Sequence, residues 1–102
     1  MNDANMAAVA AVVRSGRENA IPLDVLARLA GITQRDVRNA VYDINTSGSL
    51  AIIREPRKGY YIPESQEELD HYIRFNDSYR KRLNSKLRGM KRYREEHFSD
   101  AD

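Results

Sequence analysis

Residues 23–46, LDVLARLAGITQRDVRNAVYDINT, decide the fold of this chain. Apolar residues recur at helical spacing in the first eight positions, and Gly31 then supplies a tight turn to a further helix. Thr33 stands at capping-box spacing from Asp36, so the further helix is predicted to begin there. Its apolar residues fall three and four positions apart and form one stripe that faces the core: Val37, Ala40, Val41 and Ile44. The stretch therefore predicts two short helices that meet at a glycine.

The segment before this stretch is predicted to begin with another helix. The Ala-rich run from Asp3 or Asn5 to Arg14 has helical character, and Asp3 is a suitable N-cap. Residues 17–22 are predicted to form a loop whose last residues are extended, because a residue that precedes Pro22 is biased away from helical angles.

The segment after the stretch predicts a hairpin and a long helix. Residues 50–53 and 60–62 are short β-favouring runs, and residues 54–59 between them form a loop with a basic tip. The sequence SQEE at 65–68 is a capping box, which predicts a helix from Gln66 to about Phe98.

Two short helices followed by a hairpin with a basic loop are typical of a winged helix domain. Four segments carry a family resemblance: IPL at 21–23, LARLAGIT at 26–33, RDVR at 35–38 and GYYI at 59–62. In these segments the chain resembles the compact winged helix-turn-helix proteins of bacteriophages and prophages, and the N-terminal domain of biotin-repressor-type regulators. The resemblance implies an α+β, mostly α fold with three helices, a β-hairpin wing and a long C-terminal helix. In the wing, residues 54–58 depart from the family pattern, in which a second glycine and serines are common.

The length of 102 residues leaves room for one domain and an appended helix. We expect a winged helix-turn-helix domain at residues 3–63. A long amphipathic basic helix is expected at residues 64–98, and a disordered tail at residues 99–102.

The third helix is the predicted DNA reader. With Val37, Val41 and Ile44 facing the core, the outward face carries side chains that can contact base edges or phosphates in a major groove. The predicted DNA-binding residues are Gln34, Arg35, Arg38, Asn39, Tyr42 and Thr46 on this helix, and Arg57 and Lys58 at the hairpin tip. The alternative for the helix is an ordinary solvated face, and for the tip a charged end that discourages edge pairing.

Positive charge is concentrated in the last helix. Between Arg74 and Arg94 there are nine Lys or Arg residues and one acid, Asp77, although the whole chain has a net charge of only +2. Four of these basic residues recur at steps of seven, seven and four: Arg74, Lys81, Arg88 and Arg92. This stripe is suited to a nucleic-acid backbone or to an acidic protein surface.

The opposite side of the same helix carries an apolar stripe. Its predicted dimerisation residues are Tyr72, Ile73, Tyr79, Leu83, Leu87 and Met90. Such a stripe must be buried, either against the domain of the same chain or against a second copy. Because the helix outruns what one small domain can cover, a homodimer through the C-terminal helix is expected. Gly89 is a predicted site of kinking or fraying.

Several classes of function are not expected. The chain has no cysteine, and His71 and His97 are not at metal-ligand spacing. The sequence shows neither a Gly-rich phosphate loop nor a nucleophile motif, so we expect no enzyme activity, no metal and no cofactor. The N-terminus lacks a basic signal-peptide region, and the apolar run at 6–13 is too short to span a bilayer. We therefore expect a cytoplasmic protein of a bacterial or phage-infected cell, without a membrane partner.

Two functional interpretations follow. The first is a duplex-DNA-binding protein, a phage or prophage transcription regulator or replication accessory. The second is a phage-type interaction protein that binds a host protein and inhibits or redirects a nucleic-acid-handling complex, as an anti-defence inhibitor does. RNA binding through the long basic helix is a further alternative.

Overall fold

The computed structural model describes residues 1–98, so the predicted tail at 99–102 lies outside the described residues. The protein is α+β and mostly α, with one two-stranded antiparallel sheet and a long C-terminal helix, as the sequence predicts. Within the described residues the chain divides into two compact units, residues 1–69 and 70–98. In chain order the elements are α1 Asp3–Val12, a 3-10 helix Arg17–Asn19, α2 Leu23–Ala30, α3 Gln34–Ser47, β1 Ile53–Glu55, β2 Gly59–Tyr61 and α4 Gln66–Phe98.

Helix α1 is shorter than predicted and has a different cap. The N-cap is Asn2, whose side chain accepts a hydrogen bond from the amide of Asn5, and Asp3 is already helical. The helix ends at Val12 and not at Arg14, because the carbonyl of Arg14 accepts a hydrogen bond of 2.8 Å from the amide of Ile62. Long-range pairing thus ends α1 two residues early.

Helices α2 and α3 confirm the predicted pair. Helix α2 ends at Gly31, which adopts the left-handed conformation with φ +74°. The hydroxyl of Thr33 then accepts from the amide of Asp36 at 3.0 Å, which satisfies an otherwise unpaired donor in the first turn of α3. Helix α3 runs to Ser47, and Gly48 caps it.

The three helices share one apolar core. The predicted stripe of α3 is buried throughout, and Val37 has no exposed surface. Val9 from α1 and Leu26 from α2 are also fully buried against it. Burial of a side chain of this size stabilises the folded state by about 1.5–3 kcal/mol, so these contacts fix the orientation of α3.

The strands lie elsewhere than predicted. Strand β1 occupies 53–55 rather than 50–53, because the Asn45 side chain binds both backbone groups of Ile52. The amide nitrogen of the Asn45 side chain donates to the carbonyl of Ile52 at 3.0 Å, and the side-chain oxygen of Asn45 accepts from the backbone amide of Ile52 at 2.7 Å. Ile52 is therefore held by α3 and cannot join the ladder. Strand β2 occupies 59–61 rather than 60–62, with Ile53 paired to Tyr61.

Strand β2 is also bonded on its other side. Within the predicted loop at 17–22, Ile21 forms an antiparallel bridge with Tyr60, with hydrogen bonds of 2.9 and 2.8 Å. Ser15 forms a parallel bridge with Ile62. The segment between α1 and α2 thus contains a 3-10 helix and two single-residue bridges where the sequence predicts an unpaired loop.

Helix α4 has the predicted bounds. The amide of Glu68 donates to the Ser65 hydroxyl at 3.1 Å, as in a capping box, but the Glu68 carboxylate accepts from the amide of Glu64 and not from that of Ser65. The helix is continuous through Gly89, where a kink or fraying is predicted. Within residues 1–98, no helix combines the length and apolar character needed to cross a bilayer.

Candidate nucleic-acid interface

The outward face of α3 presents the side chains that the sequence predicts. All six predicted residues of this helix are exposed: Gln34, Arg35, Arg38, Asn39, Tyr42 and Thr46. Tyr42 is 70% exposed, although tyrosine is often half-buried on a small domain. The buried stripe on the opposite side fixes the direction in which the six residues point.

Two of these residues line a groove between α3 and the start of α1. Asn39 and Tyr42 line this groove together with the acidic residues Asp36 and Asp43. The remaining lining comes from Ala40 and from Met1, Asn2 and Asn5 at the start of α1. The sequence does not predict this groove, because it depends on how α1 packs beside α3.

The groove divides the exposed face of α3 by charge. The helix carries two arginines and two aspartates, so its formal charge is zero. The aspartates line the groove, whereas Arg35 and Arg38 do not. Phosphates are attracted to the arginine side of this face and repelled from the groove side.

The tip of the hairpin is a tight turn with a strained arginine. The amide of Lys58 donates to the carbonyl of Glu55 at 3.1 Å, which closes a four-residue turn with Pro56 in its second position. Arg57 occupies the third position with φ +73°. Proline followed by a positive φ is typical of a type II turn, in which glycine is usual at the third position. Both basic residues of the tip are exposed.

The acid beside the tip is already bound. The sequence suggests that Glu55 weakens phosphate binding at Arg57 and Lys58. In the structure, its carboxylate accepts from Arg17 Nε at 2.7 Å and from the Tyr61 hydroxyl at 2.8 Å. The Arg17 guanidinium, followed by the Tyr61 hydroxyl, holds the pKa of Glu55 below its ordinary value. Burial, with the bond to Glu55, raises the pKa of Tyr61. The hydrogen bonds of Glu55 are thus made to Arg17 and Tyr61, although its charge still acts on Lys58.

A second groove lies between the hairpin and the start of α2. It is lined by three basic residues, Arg54, Arg57 and Lys58, and by Pro22 and Leu23 among others. Arg54 is exposed and belongs to this cluster, although it is not among the predicted site residues. The sequence feature that could have identified Arg54 is its position just before the turn of the hairpin. This groove and the one beside α1 share no residue.

The predicted residues of α4 lie on one continuous helix. The basic stripe is exposed along its length: Arg74, Lys81, Arg88 and Arg92. On the apolar stripe, Tyr72 is partly exposed, and the others are between 36% and 58% exposed: Ile73, Tyr79, Leu83, Leu87 and Met90. Asp77 accepts from Arg80 at 2.8 Å and lies 3.7 Å from Lys81, and the Arg80 guanidinium lowers its pKa.

Among the residues that the structure describes, no group of three or more His, Cys, Asp or Glu side chains is arranged to hold a metal ion. Comparison with protein-family models, with curated proteins and with solved structures finds no match to this chain.

Proposed function

We propose that the first unit is a winged helix-turn-helix domain that binds duplex DNA. The order of its elements supports this proposal, since α2 and α3 meet at Gly31 and the antiparallel hairpin follows α3. The observation that carries it is the pair of faces on α3. The apolar face is buried, and the opposite face exposes Arg35, Arg38 and Asn39 beside Tyr42.

The exposed side chains suit two kinds of DNA contact. An arginine can bind guanine with two hydrogen bonds, and an asparagine can bind adenine in the same way. Arg35, Arg38 and Asn39 are the base-reading candidates. Arg57 and Lys58 at the hairpin tip, together with Arg54, are candidates for phosphate contacts, which position a protein without reading sequence.

The distribution of charge predicts where non-specific affinity arises. Residues 1–69 carry eight Lys or Arg against nine Asp or Glu, whereas residues 74–94 carry nine against one. Binding by the first unit therefore depends on a few placed arginines rather than on net charge. Helix α4 supplies phosphate contacts of its own, through Arg74, Lys81, Arg88 and Arg92, and gives the affinity a strong salt dependence.

The resemblance of the sequence to phage and prophage winged-helix proteins supports a role for this activity in transcription regulation or replication. The competing function is an interaction protein that uses the same domain against a host nucleic-acid-handling complex. The two are separated by the behaviour of purified protein, because only the first requires direct binding to duplex DNA.

The test is fluorescence anisotropy of the full chain with a labelled random-sequence duplex at about 50 mM salt, where phosphate contacts are strong. We expect binding to the random pool, and we expect Arg35→Ala and Arg38→Ala each to weaken binding of a duplex selected from that pool by about tenfold while changing binding of the unselected pool less. Arg14→Ala removes an equally exposed arginine outside the proposed interface and is the matched control, with an expected change within about twofold. Absence of binding by the parent chain, or equal losses from Arg14→Ala and Arg35→Ala, would show that α3 is not a DNA reader.

A further inference from the structure

The apolar stripe of α4 is an exposed surface that the proposed function leaves without a role. Leu83 and Leu87 lie four residues apart, and Met90 follows three residues later, so all three share one face of the helix. Met90 is 58% exposed and Leu87 is 41% exposed. An exposed stripe of this length on a charged helix indicates a surface for another molecule.

Basic side chains border this stripe on both sides. At 100° per residue, Arg80 and Lys91 follow one border, and Arg82 and Lys86 follow the other. Asp77 is the one acid between residues 74 and 94, and it is already bound by Arg80. Asp77 therefore compensates Arg80, whereas no acid of residues 74–94 pairs with Lys91, Arg82 or Lys86.

Parallel pairing of α4 with α4 of a second copy would bring like charges together at the apolar stripe. In such a pair, each residue of the seam meets the same residue of the other copy. If Leu83 and Met90 take heptad position a, Lys86 takes position d and faces Lys86 of the second copy. If Leu83 and Met90 take position d, Leu87 takes position a together with Arg80 and Arg94, and these arginines face their own equivalents. Like charges at these places oppose pairing.

Antiparallel pairing of fully overlapped helices meets the same difficulty. The basic segment 74–94 lies close to the middle of α4, so each basic segment would run beside the other. Charge complementarity therefore favours an acidic occupant.

We propose that the apolar stripe of α4 binds an acidic amphipathic helix of a partner protein. Apolar residues of the partner cover Leu83, Leu87 and Met90, and its flanking carboxylates contact Lys86 on one border and Lys91 on the other. Nucleic acid would satisfy the basic borders but would leave the aliphatic side chains in water. This site is separate from α3 and the hairpin, and it does not depend on their binding DNA.

The test uses the full chain and synthetic peptides of about four heptads, with leucine at the first and fourth positions and glutamate at the positions that flank them. One control peptide replaces the glutamates by lysine, and another keeps the glutamates and replaces the leucines by serine. We expect saturable binding of the acidic leucine peptide, measured by anisotropy, and binding at least about tenfold weaker for each control peptide.

Variants of the chain locate the binding surface. Leu83→Ser with Leu87→Ser, and Arg82→Glu with Lys86→Glu, are each expected to weaken binding of the acidic peptide about tenfold. The matched control is Lys81→Glu with Arg88→Glu, which makes the same charge change on the opposite face and is expected to have a clearly smaller effect. Circular dichroism verifies that each variant remains helical.

Three outcomes would overturn the proposal. Equal binding of the acidic and basic leucine peptides would show a merely apolar surface. A dimer in sedimentation at micromolar concentration that Leu83→Ser with Leu87→Ser dissociates would assign the stripe to a second copy. Displacement of the acidic peptide by a short DNA duplex from the parent chain and from Lys81→Glu with Arg88→Glu alike would assign the surface to nucleic acid. None of these outcomes bears on DNA binding by α3, which the Arg35 and Arg38 variants test.

Discussion

The backbone of Gly59 lies directly against the carbonyl of Ile21, and a Cβ atom at position 59 would overlap that carbonyl. Gly59 also has φ +116°, which side-chain-bearing residues rarely adopt. We expect Gly59→Ala to lower the free energy of unfolding by about 3 kcal/mol or more, because the bridge between Ile21 and Tyr60 must move. Urea unfolding followed by circular dichroism measures the change.

Gly31→Ala is the matched control for this experiment. Gly31 has φ +74°, but a Cβ atom there would have no neighbour within 4 Å. Its expected cost is about 1–2 kcal/mol, from backbone conformation alone. Similar losses at Gly31 and Gly59 would show that the close approach to Ile21 contributes nothing.

The turn at the hairpin tip predicts opposite effects on stability and binding. Arg57 adopts a left-handed conformation that glycine favours, so Arg57→Gly is expected to raise the free energy of unfolding by up to about 1 kcal/mol. The same change removes a phosphate contact and is expected to weaken duplex binding about threefold. Lys58→Gly is the control, since it is expected to lower both the free energy of unfolding and the affinity for duplex DNA. A lower free energy of unfolding for Arg57→Gly than for the parent would contradict the interpretation that the backbone of Arg57 is strained.

The bonds of Glu55 predict a dependence of stability on pH. Arg17 and Tyr61 hold the folded-state pKa of Glu55 below its ordinary value. Ionised Glu55 therefore stabilises the fold above about pH 4.3, the usual pKa of glutamate, and the contribution is lost as the pH falls through the lower folded-state pKa. We expect Glu55→Gln to be less stable than the parent at pH 7 and the difference to shrink toward pH 3. Parallel stability curves for the two proteins would contradict this account.

The acid-lined groove predicts a substitution that strengthens DNA binding. Asp43 shares the groove with Asn39 and Tyr42, where its charge repels phosphate. Asp43→Asn is expected to raise affinity for duplex DNA about threefold at about 50 mM salt and to have little effect at about 300 mM. Asp24→Asn, an exposed change on α2, is the control. Equal effects of the two substitutions would place the DNA away from this groove.

The sequence predicted the helices well because their signals are local. The Thr33 cap, the Gly31 turn and the apolar spacing of α3 act within a few residues, and α2, α3 and α4 have the predicted bounds to within two residues. The exposed face of α3 follows from the same periodicity.

The strands and the surroundings of the candidate site required long-range contacts. The start of β1 depends on Asn45 binding Ile52, and the second pairing of β2 depends on Ile21, nearly forty residues away. The binding of Glu55 by Arg17 has the same origin. Spacing within the sequence carries no signal for such pairs, because they form only when separate segments pack together.

The pairing of Ile62 with Arg14 and Ser15 has a consequence for synthesis of the chain. Helices α1, α2 and α3 leave the ribosome first, but the carbonyl of Arg14, the amide of Gly16 and both backbone groups of Ile21 find their partners only in residues 60–62. A nascent chain arrested before Gly59 holds three helices with these groups unbonded. We therefore expect the first unit to complete its hydrogen bonding only after residues 60–62 have left the ribosome.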